Sequence, residues 1–235
     1  MKEIFLLRHG ETDKNLFYDY KDKNPSLNMT GIEQSVITGK YLRDYICDSN
    51  KKPFDMIITS DMNRTIETAE IICDILKFNK NNIIKSKILK NPNSKEKSKK
   101  YKINKLLSTN KNIDPIDEKK KRLLTQDTYK MVEQVNLRKL QAQKVMKMIE
   151  DSKNKKILVV CHNGNIMYGF IPLLFNVLEI NGDFRYGYTC HLSYIIENRK
   201  KYTLVNSPST YHFKLYSNKK YNYDYSERLK NLYNI

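Results

Sequence analysis

EIFLLRHGET, residues 3–12, is a short apolar run that stops abruptly at an arginine, a histidine and a glycine. Residues 3–8 read as a strand buried on both faces, because apolar residues follow one another without polar alternation. The polar pair Arg8-His9 then leaves that strand at its carboxyl end. A guanidinium beside an imidazole raises the cost of charging the imidazole. Such a pair makes most sense with an anion seated between the two.

The same arrangement recurs twice. FDMIIT (54–59) reads as a strand, followed by Ser60, Asp61, Met62, Asn63 and Arg64 at the entrance of a helix over 61–76. KILVVC (156–161) is β-branched and apolar, suited to the middle of a parallel sheet, and His162-Asn163-Gly164 follows it into a second helix over 163–178. Residues 30–46 read as a helix opened by a capping box of Thr30 and Glu33, with Ile32, Val36 and Leu42 on its apolar side. Met62, Ile66, Ala69, Cys73 and Leu76 mark the inner face of the 61–76 helix. A weak strand over 83–89, a helix over about 128–151 and a closing β-pair, YTCHLSYIIE with KKYTLVN, complete the pattern.

Alternating strands and helices predict an α/β fold: a mostly parallel sheet with helices on both faces, three layers in all. Ligands of such sheets bind beyond the carboxyl ends of the strands. Arg8, His9, Arg64 and His162 all fall there, delivered by distant segments. Two guanidiniums offer bidentate forks to a tetrahedral oxyanion. One imidazole can attack phosphorus, and the second can donate to an equatorial oxygen. Amides at the start of the helix after His162 add an anion-binding end. The combination predicts phosphoryl transfer with arginines as the clamp. His191 and His212 lack this context and are read as structural.

The 235 residues suit a single domain over 1–235 with one large core. Residues 90–127 are rich in Lys, Asn, Ser and Pro and read as an exposed insertion. The tail from Tyr211 is polar and tyrosine-rich. Hydrophobic residues make up 40% of the chain, which excludes a disordered protein. Lys and Arg outnumber Asp and Glu by 43 to 26, giving a net charge of +17. The excess is mostly lysine spread along the chain, so it reads as compositional bias; nucleic acid is disfavoured as a partner, although the field draws in phosphorylated substrates. Cys47, Cys73, Cys161 and Cys190 are far apart in apolar surroundings, with no CxxC spacing. No metal site is therefore expected, and reduced, buried thiols suit an intracellular, cytoplasmic protein. Residues 1–7 do not read as a secretory signal, because Met1-Lys2-Glu3 carries an acid and the apolar run 4–7 is too short, and the apolar stretch 166–180 is interrupted and shorter than the roughly 20 residues of a membrane span. Residues 31–40 imitate a phosphate-binding loop, but their spacing is too long and they lie inside a helix. An exposed sheet edge could pair two copies as a homodimer.

Three motifs in order, LLRHGET (6–12), TSDMNRTIETAEII (59–72) and VVCHNGNI (159–166), resemble those of the histidine phosphatase superfamily, also called phosphoglycerate mutase-like. The resemblance covers most of residues 1–207 and implies an α/β/α sandwich without a cofactor. It implies that His9 is the nucleophile and forms a phosphohistidine, with Arg8, Arg64 and His162 around the phosphoryl group. It implies further phosphate contacts from Asn15 and from the backbone N–H of Asn163. The expected activity is a metal-independent phosphomonoesterase acting on a small molecule or a phosphoprotein.

One slot departs from the family. A glutamate within LxE usually follows the third strand; here Asn91 stands in that place, within ILKNPN. An asparagine cannot protonate a leaving alkoxide. Glu96 is the nearest substitute, with Asp114, Asp117 and Glu118 as further candidates. The alternative reading is a phosphate-binding protein with little turnover. The mutase branch follows its acid with Arg-His-Tyr-Gly, which this chain lacks, so phosphoglycerate mutase is the third choice.

Overall fold

Along β1 (Lys2–Arg8), successive side chains point to opposite faces, and Ile4, Phe5, Leu6 and Leu7 are all completely buried. A strand buried on both sides needs a layer on each. The computed structural model describes residues 1–17, 22–46, 53–90, 126–175, 189–210 and 212–213, and it supplies both layers. Ile4 and Leu6 join Ile58, Ile157 and Val159 against Val145, Ile149, Ile166 and Phe170. Phe5 and Leu7 join Ile57, Leu158 and Val160 against Ile37, Leu42, Ile72 and Leu76. At about 25 cal/mol per Å² of apolar surface removed from water, these two cores carry most of the driving force for the fold.

The other strands are β2 (Met56–Ser60), β3 (Ile83–Ser86), β4 (Lys156–Cys161), β5 (Leu192–Asn198) and β6 (Lys201–Ser209). Among the described residues they form, with β1, a six-stranded sheet in the order β3-β2-β4-β1-β5-β6. Pairs β3-β2, β2-β4 and β4-β1 are parallel, whereas β5 and β6 run antiparallel at one side. The helices are α1 (Asp13–Phe17), α2 (Met29–Tyr41), α3 (Asn63–Leu76), α4 (Gln126–Asp151), α5 (Asn163–Asn165) and α6 (Ile171–Phe175). The result is the expected three-layer α/β/α sandwich with a mostly parallel sheet. Among the described residues, no helix is long and apolar enough to cross a membrane.

Register decides where the polar clusters go. Arg8 pairs with Cys161, and Thr59 pairs with Val160. Three adjacent strands therefore end nearly level, and the next residue of each chain segment emerges on one rim. The ladder continues one step past β1, where His9 N donates to Cys161 O at 3.1 Å.

Several local expectations are corrected. The N-cap of α2 is Asn28, whose Oδ1 accepts from Gly31 N at 2.9 Å, so the helix is capped two residues before the expected cap at Thr30. Its buried face is not the apolar one: Gly31, Gln34, Ser35, Thr38 and Gly39 are buried with Ile37, while Ile32 is 39% exposed. Tertiary support of the loop after β1 overrides the hydrophobic period. Gln34 Oε1 accepts from Glu11 N at 3.0 Å, and Asn28 Nδ2 donates to Glu11 Oε1 at 3.0 Å. The 83–89 strand ends at Ser86, because the Ser86 hydroxyl accepts from Ile88 N and turns Lys87–Leu89 into a 3₁₀ turn. Between α5 and α6, Ile166–Phe170 forms a π turn. Pro172 removes the N–H that a regular helix would aim at the Tyr168 carbonyl, and the helical register changes there. Ahead of α4, the insertion ends at least two residues sooner than 127; residues 91–125 lie outside the described residues, as do most residues of the tail. His212 and Phe213 do not continue a polar tail: both are buried, and His212 Nε2 lies 3.0 Å from Thr38 Oγ1.

Gly31 carries the closest contact of this support. A Cβ placed there would lie 2.1 Å from Glu11 O, a backbone atom that cannot swing aside. In an exposed helix, Gly→Ala stabilises by up to about 1 kcal/mol. Here Gly31→Ala is expected to destabilise by about 1–3 kcal/mol through overpacking, read as a lower denaturant midpoint at unchanged m-value.

Candidate active site

The three rims meet around one guanidinium. Arg64 sits in the first turn of α3, placed by Thr65, whose Oγ1 lies 2.7 Å from Met62 O and 3.0 Å from Ser60 O, both of which accept from it. Arg64 Nε donates to His9 Nε2 at 3.2 Å, and its Nη2 donates to His162 Nδ1 at 3.3 Å. The two imidazole centroids are 5.3 Å apart. Arg8, His9, Arg64 and His162 are buried, none more than 9% exposed. The four residues nominated from the sequence are thus one cluster, joined at β1, β4 and α3.

Donor chemistry sets the tautomers. A carbonyl only accepts, so the 2.7 Å contact of His9 Nδ1 with Gly10 O requires a proton on Nδ1. His9 Nε2 is left as a lone pair aimed at Arg64. A guanidinium only donates, so His162 Nδ1 is the acceptor; His162 Nε2 carries the hydrogen and donates to Ser60 Oγ at 3.2 Å. Gly10 N donates to Thr68 Oγ1 at 3.0 Å, which ties the loop after β1 to α3.

Electrostatics hold both rings neutral. Burial, then Arg64, His162 and Arg8, push His9 well below 6.5, against the opposing Gly10 bond. Burial, then Arg64, Arg138 and Arg8, do the same to His162. Burial and the Arg8 charge lower Arg64 to about 10, with Asp22 acting in the opposite sense. Arg64 stays a cation at neutral pH. Its Nη1 is buried without a hydrogen-bond partner among the described residues. An incoming dianion would satisfy it and relieve the mutual repulsion of the cluster.

Asn15 is engaged within its own loop. Its Oδ1 accepts from Thr12 N at 3.1 Å and Thr12 Oγ1 at 2.8 Å, which leaves the Nδ2 amide as its donor. Asn163 opens α5, and its Oδ1 lies 3.0 Å from His191 Nε2. His191, structural by its sequence context, contacts Asn163 and so borders the candidate site. Arg138 of α4 joins the site with no motif to announce it. Its guanidinium lies against Gly164, where a Cβ would come within 2.3 Å of it, and its charge acts on His162. A half-polar helix with a distant Arg offers no sequence signal for that contact. Asn91, Glu96, Asp114, Asp117 and Glu118 lie outside the described residues. No group of three or more His, Cys, Asp or Glu side chains among the described residues is placed to hold a metal ion. Cys161 and Cys190 are buried thiols pushed up to about 12 by desolvation.

All four histidines of the chain are buried, and all have lowered pKa values. His191 and His212 are lowered to about 3. Unfolding restores each to about 6.5, so the unfolded chain binds more protons and stability must fall with falling pH. The loss begins near 6.5 and ends at the lowered values. At pH 5, His191 and His212 alone take up about two protons on unfolding. Denaturant titrations between pH 7.5 and 5 should show stability declining by up to about 1.4 kcal/mol per pH unit for each histidine; a flat profile would contradict this electrostatic account.

Comparison with known proteins places this geometry in context. The sequence pattern of the histidine phosphatase superfamily (branch 1) matches residues 4–206. No curated protein matches the sequence. Among solved structures, the chain is similar to phosphoglycerate mutase from Bacillus anthracis, at 15% identity and a TM-score of 0.62, over 91% of this chain and 95% of that one. It is similar to an H9A mutant of phosphoserine phosphatase from Entamoeba histolytica in complex with phosphoserine, at 18% identity and a TM-score of 0.53, over 90% and 99%. A mycobacterial glucosyl-3-phosphoglycerate phosphatase complexed with VO3 aligns at 13% identity and a TM-score of 0.57, over 89% and 100%. Identities this low speak to the fold.

Proposed function

The chain belongs to the histidine phosphatase superfamily, branch 1, and from that premise we propose that it is a metal-independent phosphomonoesterase working through a phosphohistidine on His9. The supporting observation is the single guanidinium shared by two neutral imidazoles. The lone pairs that Arg64 now contacts mark the positions an anion's oxygens compete for. When a phosphoryl group enters, Arg64 turns from the rings to its oxygens, and His9 Nε2 is released as nucleophile.

The chemistry proceeds in two displacements. His9 Nε2 forms a bond to phosphorus as the bond to the ester oxygen breaks, and the electron pair leaves on that oxygen. The proton stays on Nδ1, donated to Gly10 O, and this bond stabilises the positive charge gained by the ring. Arg8, Arg64, the Asn15 side chain and the Asn163 amide balance the equatorial oxygens, and His162 joins them as a donor once Nδ1, which faces Arg64, gains a proton. Water then attacks phosphorus, the N–P bond breaks, and its pair returns to Nε2. Burial that keeps His9 unprotonated also keeps it nucleophilic, so the enzyme form needed for attack persists well below pH 6.5.

The leaving oxygen needs a proton. With Asn91 in the family's acid slot, Glu96 is the first substitute by sequence and Asp114, Asp117 and Glu118 follow. Without a general acid, roughly 10²–10⁴-fold in rate is lost, and least for a good leaving group. Asn91 also favours a second reading, a protein that binds phosphate and turns over little. The named substrates of the structural relatives differ, so the class is stated as a phosphomonoester.

Hydrolysis of an aryl phosphate in EDTA decides between these. His9→Ala should abolish turnover and the acid-labile phosphoenzyme; activity retained by this variant would sink the mechanism. Arg64→Ala should lower kcat/KM by about 10²–10³-fold. Glu96→Gln should slow alkyl phosphates more than aryl phosphates if Glu96 is the acid. Vanadate binding with no turnover of any ester would select the second reading.

A further inference from the structure

The segment entering β5, Thr189-Cys190-His191, grips the nucleophile loop from below. Cys190 N donates to His9 O, and Arg8 N donates to His191 O, each at 3.1 Å. Thr189 Oγ1 donates to Gln34 Oε1 at 2.8 Å, the same oxygen that accepts from Glu11 N. Cys190 holds a φ of 54°, a left-handed conformation that non-glycine residues adopt only when their surroundings impose it. Main-chain bonds thus lock Arg8 and His9 to this segment.

His191 adds a side-chain link in another direction. Its ring is 2% exposed, and Nε2 lies 3.0 Å from Asn163 Oδ1. An amide oxygen only accepts, so Nε2 bears the hydrogen. Nδ1 is then a bare lone pair, buried without a partner among the described residues. A residue needed only to fill space would avoid that cost. A side chain chosen to reach Asn163 from the β5 entrance accepts it, because the reach requires a donor at the far end of the ring. Burial and the Arg8 charge keep the ring neutral.

We propose that His191 is a positioning residue: with one backbone bond to Arg8 and one ring bond to Asn163, it fixes the distance between the loop carrying His9 and the amide end that follows His162. The inference rests on the phosphatase reading, since it assigns the Asn163 amide to the phosphoryl group. His191 touches no reacting atom. It acts through Asn163.

Two polar variants test it without emptying the core. The amide of His191→Gln reaches the position of Nε2, whereas that of His191→Asn stops near Nδ1. Vanadate and phosphate affinity are measured by calorimetry, with aryl phosphate kinetics alongside. His191→Asn should weaken vanadate binding and raise KM about tenfold, the loss of one hydrogen bond in a buried site. His191→Gln should stay within about twofold of the unmodified protein. Asn163→Ala should weaken binding similarly, and adding it to His191→Asn should cause no further loss. Additive losses, or equal behaviour of the Gln and Asn variants, overturn the proposal while leaving the phosphatase reading intact. An unmodified protein that binds neither anion overturns both.

Discussion

Burying a guanidinium between two imidazoles is the constraint on which the rest of the structure depends. Arg64 reaches His9 and His162 at hydrogen-bonding distance inside a water-poor site. A second arginine and two ionisable rings in so small a volume repel if charged. The fold resolves the conflict by keeping both rings neutral and by fixing their tautomers with Gly10 O and Ser60 Oγ. An anion seated among these groups would relieve the repulsion that remains between the two guanidiniums. In the proposed mechanism, anion binding and the nucleophilicity of His9 share one electrostatic origin.

Holding that arrangement requires rigid support, and much of it is polar. Gln34 and Asn28 brace Glu11, Thr68 holds Gly10, and Thr65 anchors the start of α3. These buried groups are hydrogen-bonded to the loop after β1, so their burial costs little and their geometry is specific. Gly31 lets the α2 backbone approach that of Glu11 where no side chain fits. The same demand explains why α2 turns a polar face inward and leaves Ile32 outside. A helix read by hydrophobic period alone is misoriented whenever its inner face serves a loop rather than an apolar core.

The readable parts of the chain share a physical property. Uninterrupted apolar runs such as FLL and ILVV can be satisfied only inside a sheet covered on both faces. Polar residues that directly follow such runs fall on the carboxyl rim, and Arg8, His9, Arg64 and His162 were legible for that reason. The motifs of the family follow the same logic. Less readable were short-range choices decided by a competing acceptor: the Ser86 hydroxyl that ends β3, and Asn28 in place of Thr30 at the head of α2. His212 and Phe213 follow a polar-looking stretch, yet they are buried, and His212 contacts α2.

By itself the sequence determined the layer architecture, the rim on which the site forms and the four groups at its centre, because each depends on local pattern and on the parity of strands. Tertiary structure alone decided strand order, tautomers and the neighbours that reach in from afar. Arg138 meets Gly164 across 26 positions and His191 meets Asn163 across 28. Contacts of that kind depend on how separate elements close against one another, a property that no stretch of chain holds in its own residues.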